Sequence, residues 1–352
     1  MTTDTREFDV VVWGATGFTG SLVAEYLLDA YGANGSVRWA LAARDESKLA
    51  ALRESLGGGA ASLPTILADS NDESSLDALT RRTRVVLTTV GPYAKYGSKL
   101  VAACVQNGTH YCDLAGEAQW IQKMIDEHHD RAAASGARIV HCCGFDSVPS
   151  DMSVWFLQQQ AQARHGDYCH SITMLVKAMK GGASGGTFAS MMNIIRESRA
   201  DRSIARALAN PYTLNPPGER EGPERRDQKS AELHEASGLW TAPFVMAGIN
   251  TRVVRRSHAL QGYPYGRDFR YHEAVVAGQG AAGRVKANML TAGIGAFVTA
   301  AAFDLSRSAL ERFVLPAPGE GPDEEARENG FFDLRTWGEL ADGTVIRGKT
   351  TG

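Results

Sequence analysis

The first 150 residues alternate short apolar runs with segments of helical spacing. The apolar runs predict strands at 8–13, 37–43, 63–68, 85–90, 109–113 and 138–143. The segments between them predict helices at 21–31, 46–56, 72–81, 97–107 and 118–135. Strands that alternate with helices of this length indicate βαβ units and a parallel sheet with helices on both faces. We therefore predict an α/β fold with a doubly wound parallel sheet over residues 1–150.

The regular alternation stops near Pro149. A helix is predicted at 151–163, followed by strands at 170–179, 243–255 and 269–277, with one long helix at 187–208. This pattern predicts a second α+β domain over residues 151–352; that its C-terminal part returns to the first domain is an open alternative. Two stretches rich in proline and glycine, 210–230 and 315–329, predict long surface loops.

Residues 287–303 form an uncharged apolar segment that ends at Asp304. Seventeen residues lie at the lower limit of the length that crosses a bilayer. We interpret the segment as a helix buried inside the protein. Peripheral contact with a membrane or lipid is the alternative interpretation.

Composition narrows the function classes. The chain is 43% hydrophobic and 22% charged, with a formal net charge of -3, which is ordinary for a globular protein and argues against a nucleic-acid partner. The polar N-terminus lacks the apolar core of a signal peptide, which predicts a cytoplasmic protein. The five cysteines show no disulfide framework and no C-x-x-C pair, and we expect no metal site. A homodimer stays open.

A glycine-rich loop follows the first predicted strand and opens the first helix. Its residues are Gly14, Ala15, Thr16, Gly17, Phe18, Thr19 and Gly20. In this context the first glycine permits a tight turn, the second lets the backbone approach a pyrophosphate, and the third allows close packing of helix on strand. The helix N-terminus offers N–H groups to phosphate oxygens. The loop predicts a Rossmann-type dinucleotide-binding domain.

The second strand ends at Arg44, where an NAD-binding domain would place an acidic residue for the ribose 2′-hydroxyl. Arg44 can bind a 2′-phosphate through two hydrogen bonds, and Lys48 lies one helical turn further on. These cations favour NADP(H) as the cofactor. Asp45 is the predicted N-cap of the second helix.

Ligands in such sheets bind at the carboxyl ends of the strands. Asp69 ends the third strand on the predicted adenine side, and Val90, Gly91 and Pro92 end the fourth, where the chain can approach the nicotinamide ribose. Three side chains are candidate catalytic proton donors, namely Tyr93, Tyr96 and Lys180.

Several motifs together resemble one family. They are the loop Gly14–Gly20, Ala43-Arg44, Val90-Gly91-Pro92-Tyr93, His110-Tyr111-Cys112-Asp113 with Gly116-Glu117, and Gly144–Asp151. The sequence is similar to the saccharopine dehydrogenase-like oxidoreductases, and within that group it most resembles the trans-acting enoyl reductases. The resemblance covers most of the chain. It implies an NADP-binding Rossmann domain and the reduction of a C=C bond in a small-molecule, carrier-linked or lipid-linked acyl chain.

Two other functions stay open. An amino-acid dehydrogenase of the saccharopine type would need several cations for its polar substrate, and Arg252, Arg255, Arg256 and Arg270 are the evident source. A lipid-associated protein that binds the nucleotide without turnover would keep the glycine loop and lack a proton donor.

Overall fold

Six short strands form one parallel sheet in the N-terminal half of the computed structural model, which describes residues 6–224, 226–317 and 319–352. The strands are β1 (Phe8–Trp13), β2 (Trp39–Ala43), β3 (Thr65–Leu67), β4 (Thr83–Thr88), β5 (His110–Cys112) and β6 (Ile139–Val140). Their order across the sheet is β3-β2-β1-β4-β5-β6. The direction of winding reverses between β1 and β4, so the ligand crevice of this doubly wound sheet lies there. The predicted fold class is confirmed.

The helices of this sheet are α1 (Phe18–Tyr31), α2 (Glu46–Ser55), α3 (Glu73–Arg82), α4 (Tyr93–Tyr96), α5 (Ser98–Asn107) and α6 (Ala118–Ser135). Apolar side chains of the central strands and of α1 and α2 pack together, with Val12, Leu41 and Leu49 almost fully buried. Asp45 caps α2, as predicted, by accepting a hydrogen bond from the backbone N–H of Lys48. This packing fixes where each strand ends, and therefore where the loops of the crevice begin.

The remaining elements are α7 (Val148–His165), β7 (Ser171–Lys180), α8 (Gly185–Ala200), α9 (Arg202–Ala209), β8 (Glu232–His234), β9 (Leu239–Pro243), α10 (Ala247–Leu260), β10 (Arg270–Gln279), α11 (Gly280–Ala302), α12 (Asp304–Phe313), α13 (Glu324–Glu328), β11 (Phe331–Glu339) and β12 (Val345–Thr351). They include a second sheet of order β12-β11-β7-β10-β9-β8. Strands β7 and β10 pair in parallel, whereas their other neighbours pair antiparallel. Leu157 of α7 and Val254 of α10 share a core with Ile172 of β7.

The chain divides into two compact units, and the division does not follow the sequence. The first unit comprises the chain up to Gly144 together with Ser184–Ser190 and Pro316–Gly321. The second comprises Phe145–Ala183, Met191–Leu315 and Pro322–Gly352. Two short segments from the second half of the chain therefore belong to the unit that carries the glycine loop.

The structure corrects three predictions for the second half. The strand predicted at 243–255 is mostly helix α10, because the apolar residues bury one helical face that includes Ile249 and Val254. The long helix at 187–208 is interrupted at Asp201, whose carboxylate caps α9 through the N–H of Ser203. The stretch 210–230 is irregular, as expected, but it buries Leu214 inside the unit.

The apolar segment 287–303 is helical, but its predicted burial is wrong. Helix α11 buries only Gly283, Ala287 and Ala301 among its residues. Small residues on one narrow stripe let the helix lie against β9 and β10, so the rest of its circumference faces outward. By length and composition α11 could cross a membrane, the one such helix in the described part of the chain.

A buried carboxyl group lies within the second unit. Glu273 on β10 is almost fully buried, where it accepts hydrogen bonds from the hydroxyl of Tyr271 at 2.7 Å and the side-chain amide of Asn250 at 3.0 Å. Burial raises the pKa of Glu273 from its ordinary 4.5 to about 7, and the hydrogen bonds oppose that rise.

Since the pKa of Glu273 is raised in the folded state, its contribution to stability is complete below pH 4.5 and is lost as the pH rises through about 7. The free energy of unfolding should therefore fall over this interval by roughly 3 kcal/mol more than in Glu273→Gln. Urea unfolding at a series of pH values measures the difference. The exposed Glu325→Gln should behave as the wild type, and parallel pH profiles for the wild type and Glu273→Gln would contradict the assignment.

Candidate cofactor-binding and active site

The glycine loop connects β1 to α1 at the winding reversal of the first sheet. Gly14 adopts a φ of 86°, a conformation that L side chains rarely adopt, and a Cβ at this position would meet Val90 Cγ2 at 2.5 Å. A Cβ on Gly20 would collide with the carbonyl oxygen of Gly14. The loop is therefore folded tightly on itself and against the end of β4, which only glycine permits at these two positions.

The N-terminus of α1 fits a phosphate group. Gly17 is the N-cap and has no side chain to occupy the helix end, and acidic residues are absent from the first turn, all of which the structure describes. Ala15 is buried under the loop, with its N–H bonded to the Ala42 carbonyl oxygen. Thr16, Phe18 and Thr19 are partly buried, and the Phe18 ring lies close to Gly321. The positive end of the helix dipole and the backbone N–H groups of its first turn favour an anion here.

The predicted cations lie beside this loop. Arg44 directly follows β2 and is exposed, and Lys48 is exposed in the first turn of α2. Because β2 is the neighbour of β1 in the sheet, Arg44 ends on the same edge as the glycine loop. Asp69 follows β3 on that edge, where its carboxylate accepts the N–H of Asn71 and shapes the local turn.

The end of β4 forms the other side of the crevice. Val90, Gly91 and Pro92 connect β4 to α4, and Gly91 approaches Ser190, whose Oγ would lie 3.5 Å from a Cβ at that glycine. Ser190 belongs to the segment that returns from the second half of the chain. Apart from the glycines in residues 184–190, the sequence contains no indication that this segment joins the first unit.

Tyr93 does not fit the predicted catalytic role. Its hydroxyl is buried, donates to the carbonyl oxygen of Thr88 at 3.2 Å and accepts the N–H of Leu114 at 3.2 Å. Burial raises the pKa of Tyr93 well above its usual value, and the negative charge of Asp113 adds to the rise. Its ring stacks on Trp120. Tyr93 therefore joins β4 to β5 within the protein core.

The other two predicted donors are accessible. Tyr96 ends α4 with 39% of its surface exposed. Lys180 is the last residue of β7 in the second unit and is exposed, and it precedes α8 by a glycine-rich turn. Both side chains can reach a ligand in solution without disrupting a buried contact.

Glu117 is the buried carboxylate that holds the β4 turn. Its oxygens accept the N–H of Tyr93 at 2.6 Å, the N–H of Ala94 at 3.0 Å and the hydroxyl of Ser190 at 3.0 Å. The residue is fully buried, so these bonds exchange little with water. Glu117 thereby joins the turn after β4, the start of α6 and the returning segment.

Asp113 organises the ends of β5 and β6 in a similar way. Its buried carboxylate accepts the hydroxyl of Tyr111 at 2.8 Å and contacts Nδ1 of His141 at 2.6 Å. It also accepts the N–H groups of Ala115 and Cys142. Cys142 has a φ of 62°, a strained conformation for a residue with a side chain, and Asp113 stabilises it. Strain of this kind often accompanies functional sites.

Comparisons with known proteins show the family of this chain. The model of the saccharopine dehydrogenase NADP binding domain matches residues 10–140. A relative from Mycobacterium tuberculosis is 43% identical over 348 residues, which cover 96% of this chain and 82% of the relative. The trans-acting enoyl reductase of Mycobacterium leprae is 40% identical over 351 residues, with 96% and 82% covered. The chain belongs to the trans-acting enoyl reductase family.

Membership of this family confirms the resemblance seen in the sequence, and the enzyme is an NADP(H)-dependent oxidoreductase. Among solved structures, the apo saccharopine dehydrogenase (L-Glu forming) of Saccharomyces cerevisiae is 15% identical, with 98% of this chain and 86% of that chain covered and a TM-score of 0.47.

Replacing Glu117 by glutamine tests its role as the anchor of the β4 turn. A glutamine amide cannot accept all three hydrogen bonds, and its NH₂ group would face a backbone donor. We expect the Kd for NADPH to rise roughly tenfold, about 1.4 kcal/mol, because the turn beside the cofactor loosens. Fluorescence titration with NADPH measures the Kd. Glu127→Gln, on the exposed part of the same helix α6, is the matched control, and equal Kd values in both variants would refute this role.

Proposed function

We propose that this enzyme reduces a C=C bond conjugated to the carbonyl group of an acyl chain, with NADPH as the hydride donor. The observation that carries the proposal is the meeting of the glycine loop, Arg44 and the β4 turn at one edge of the first sheet. Relatives named trans-acting enoyl reductase support the choice of an enoyl substrate. A substrate linked to a carrier or a lipid, delivered by a separate protein, accords with the word trans-acting in that name.

We assign the cofactor to the loop residues 14–20, with the 2′-phosphate near Arg44 and Lys48, the adenine near Asp69, and the nicotinamide ribose near residues 90–92. Bound NADPH supplies a hydride to the β-carbon of the enoyl group. The chain must then stabilise the enolate and give a proton to the α-carbon, which a hydroxyl or ammonium group can do. Tyr96 and Lys180 are the proposed donors, and the second unit is the proposed substrate domain.

The amino-acid dehydrogenase alternative loses two of the four arginines that the sequence offered for it. Arg255 is buried, with its Nε 2.5 Å from the Glu224 carboxylate, and Arg252 is buried against Asp227. These two guanidinium groups are neutralised inside the second unit and do not serve a polar substrate. The enoyl substrate, which needs no such cluster, is therefore favoured.

A long acyl substrate would influence where in the cell the enzyme works. A long acyl chain partitions into membranes, so peripheral lipid contact by a cytoplasmic enzyme belongs with the proposed function.

The cofactor assignment predicts discrimination between the two nicotinamide dinucleotides. NADPH should bind more tightly than NADH, and Arg44→Ala should weaken NADPH binding at least tenfold while leaving NADH nearly unchanged, because only NADPH carries the 2′-phosphate. Fluorescence titration of both nucleotides measures this. Arg131→Ala, near the C-terminal end of α6 and thus at the opposite edge of the sheet, is the control. A similar loss for both nucleotides in Arg44→Ala would argue for a general structural effect.

The donor assignment predicts a selective loss of turnover. With a crotonyl thioester as the probe, Tyr96→Phe should lower kcat by about 10²-fold or more and leave the Kd for NADPH unchanged. Tyr31→Phe is a matched control, since Tyr31 is 40% exposed at the far end of α1. An unchanged kcat in Tyr96→Phe removes this tyrosine from the mechanism, and the same assay on Lys180→Ala then tests the remaining candidate.

A further inference from the structure

Helices α11 and α12 expose large apolar side chains on their outer surface. These side chains include Val285, Met289, Phe303, Leu305 and Phe313, and we call these five the α11–α12 surface. Leu305 is 88% exposed, Phe313 76% and Met289 69%. Residues 287–303 contain no charged side chain. The side of this apolar helix that does not contact the sheet is exposed to water. Large exposed apolar surfaces mark interaction sites.

The geometry favours a helix that lies on a membrane over one that crosses it. The uncharged segment is about 26 Å long at ~1.5 Å per residue, shorter than the ~30 Å hydrocarbon core of a bilayer. One side of α11 also lies against β9 and β10 along the stripe of Gly283 and Ala287. A helix held sideways by a sheet can present its free side to a membrane interface, as monotopic proteins do.

Positive charges border the α11–α12 surface. Arg284 and Lys286 lie in the first turns of α11. At its other end Arg199 donates to the carbonyl oxygen of Ala302 and lies over the ring of Phe303. Arg312 lies over the ring of Phe313.

Counted on α11 and α12 alone, the cations are Arg284, Lys286, Arg307 and Arg312, and the carboxylates number two. They are Asp304 and Glu311, and Asp304 is paired with Arg307. The cationic border contrasts with the net charge of -3 for the whole chain. An anionic lipid surface complements this border. A second copy of the chain would bring the same cations together across a twofold axis, so the charges favour lipid.

We propose that the α11–α12 surface docks on a membrane that contains anionic phospholipids, with the apolar side chains inserted among the acyl chains and the cations at the headgroups. This inference deepens the proposed function, because docking gives the enzyme access to lipid-borne acyl chains. Only this link to the substrate rests on the proposed function. Docking itself requires neither cofactor nor turnover.

Cosedimentation of the full chain with vesicles tests the proposal. The protein should bind vesicles of phosphatidylcholine mixed with phosphatidylglycerol, and added salt should weaken binding by screening the cations. The double variant Leu305→Asp/Phe313→Asp should bind at least tenfold more weakly. Leu260→Asp, at an apolar position that is 55% exposed at the end of α10, is the control, and circular dichroism confirms that each variant is folded.

Three results would overturn the proposal. Absence of binding to the mixed vesicles would do so, and light scattering that shows a dimer converted to a monomer by the double variant would assign the surface to a second copy. Equal binding to phosphatidylcholine alone would overturn the anionic preference. Because vesicle binding is measured without NADPH, these outcomes leave the reductase function untouched, and a failed NADPH titration leaves the docking result standing.

Discussion

The buried carboxylate of Glu117 is the contact on which the candidate site depends. Its hydrogen bonds with Tyr93, Ala94 and Ser190 hold the turn after β4 and the segment around Ser190 in one arrangement. The turn after β4 in turn lies against Gly14, where the loop and Val90 leave no room for a side chain. A charge without access to water is costly unless its oxygens are hydrogen-bonded. The same bonds that satisfy the carboxylate therefore fix the side of the crevice assigned to the nicotinamide.

Asp113 is a second buried carboxylate whose hydrogen bonds hold strand ends in place, in this case those of β5 and β6. Both carboxylates follow β5 within five residues, and both accept backbone N–H groups from neighbouring strand ends. The parallel sheet supplies the strand ends, but parallel strands alone do not determine the path of the loops that follow them. Acceptors placed just beyond β5 determine that path, because each N–H left without a partner in the interior would cost free energy.

The sequence predicted the first unit well because local and tertiary signals agree there. The apolar runs are buried strands, the glycine loop lies between strand and helix, and Asp45 caps α2 as expected. The prediction from sequence was wrong where one residue pattern is compatible with either a strand or a helix. Residues 243–255 are apolar at spacings that suit a strand or a helix, and tertiary packing selects helix α10. The buried hydroxyl of Tyr93 and the return of Ser190 depend on contacts distant in sequence, which no local pattern encodes.

The apolar segment 287–303 also shows what sequence patterns cannot predict. Apolar composition indicates that a helix avoids water, but it does not specify what replaces the water. The fold covers only a stripe of small residues on α11 and leaves Met289 and Phe303 outside. Keeping these side chains in water costs roughly 25 cal/mol for each Å² of apolar surface. The cations at both ends of α11 favour a membrane over a second copy of the chain as the partner of this surface. Anionic headgroups attract them, whereas the same cations of a second copy repel them.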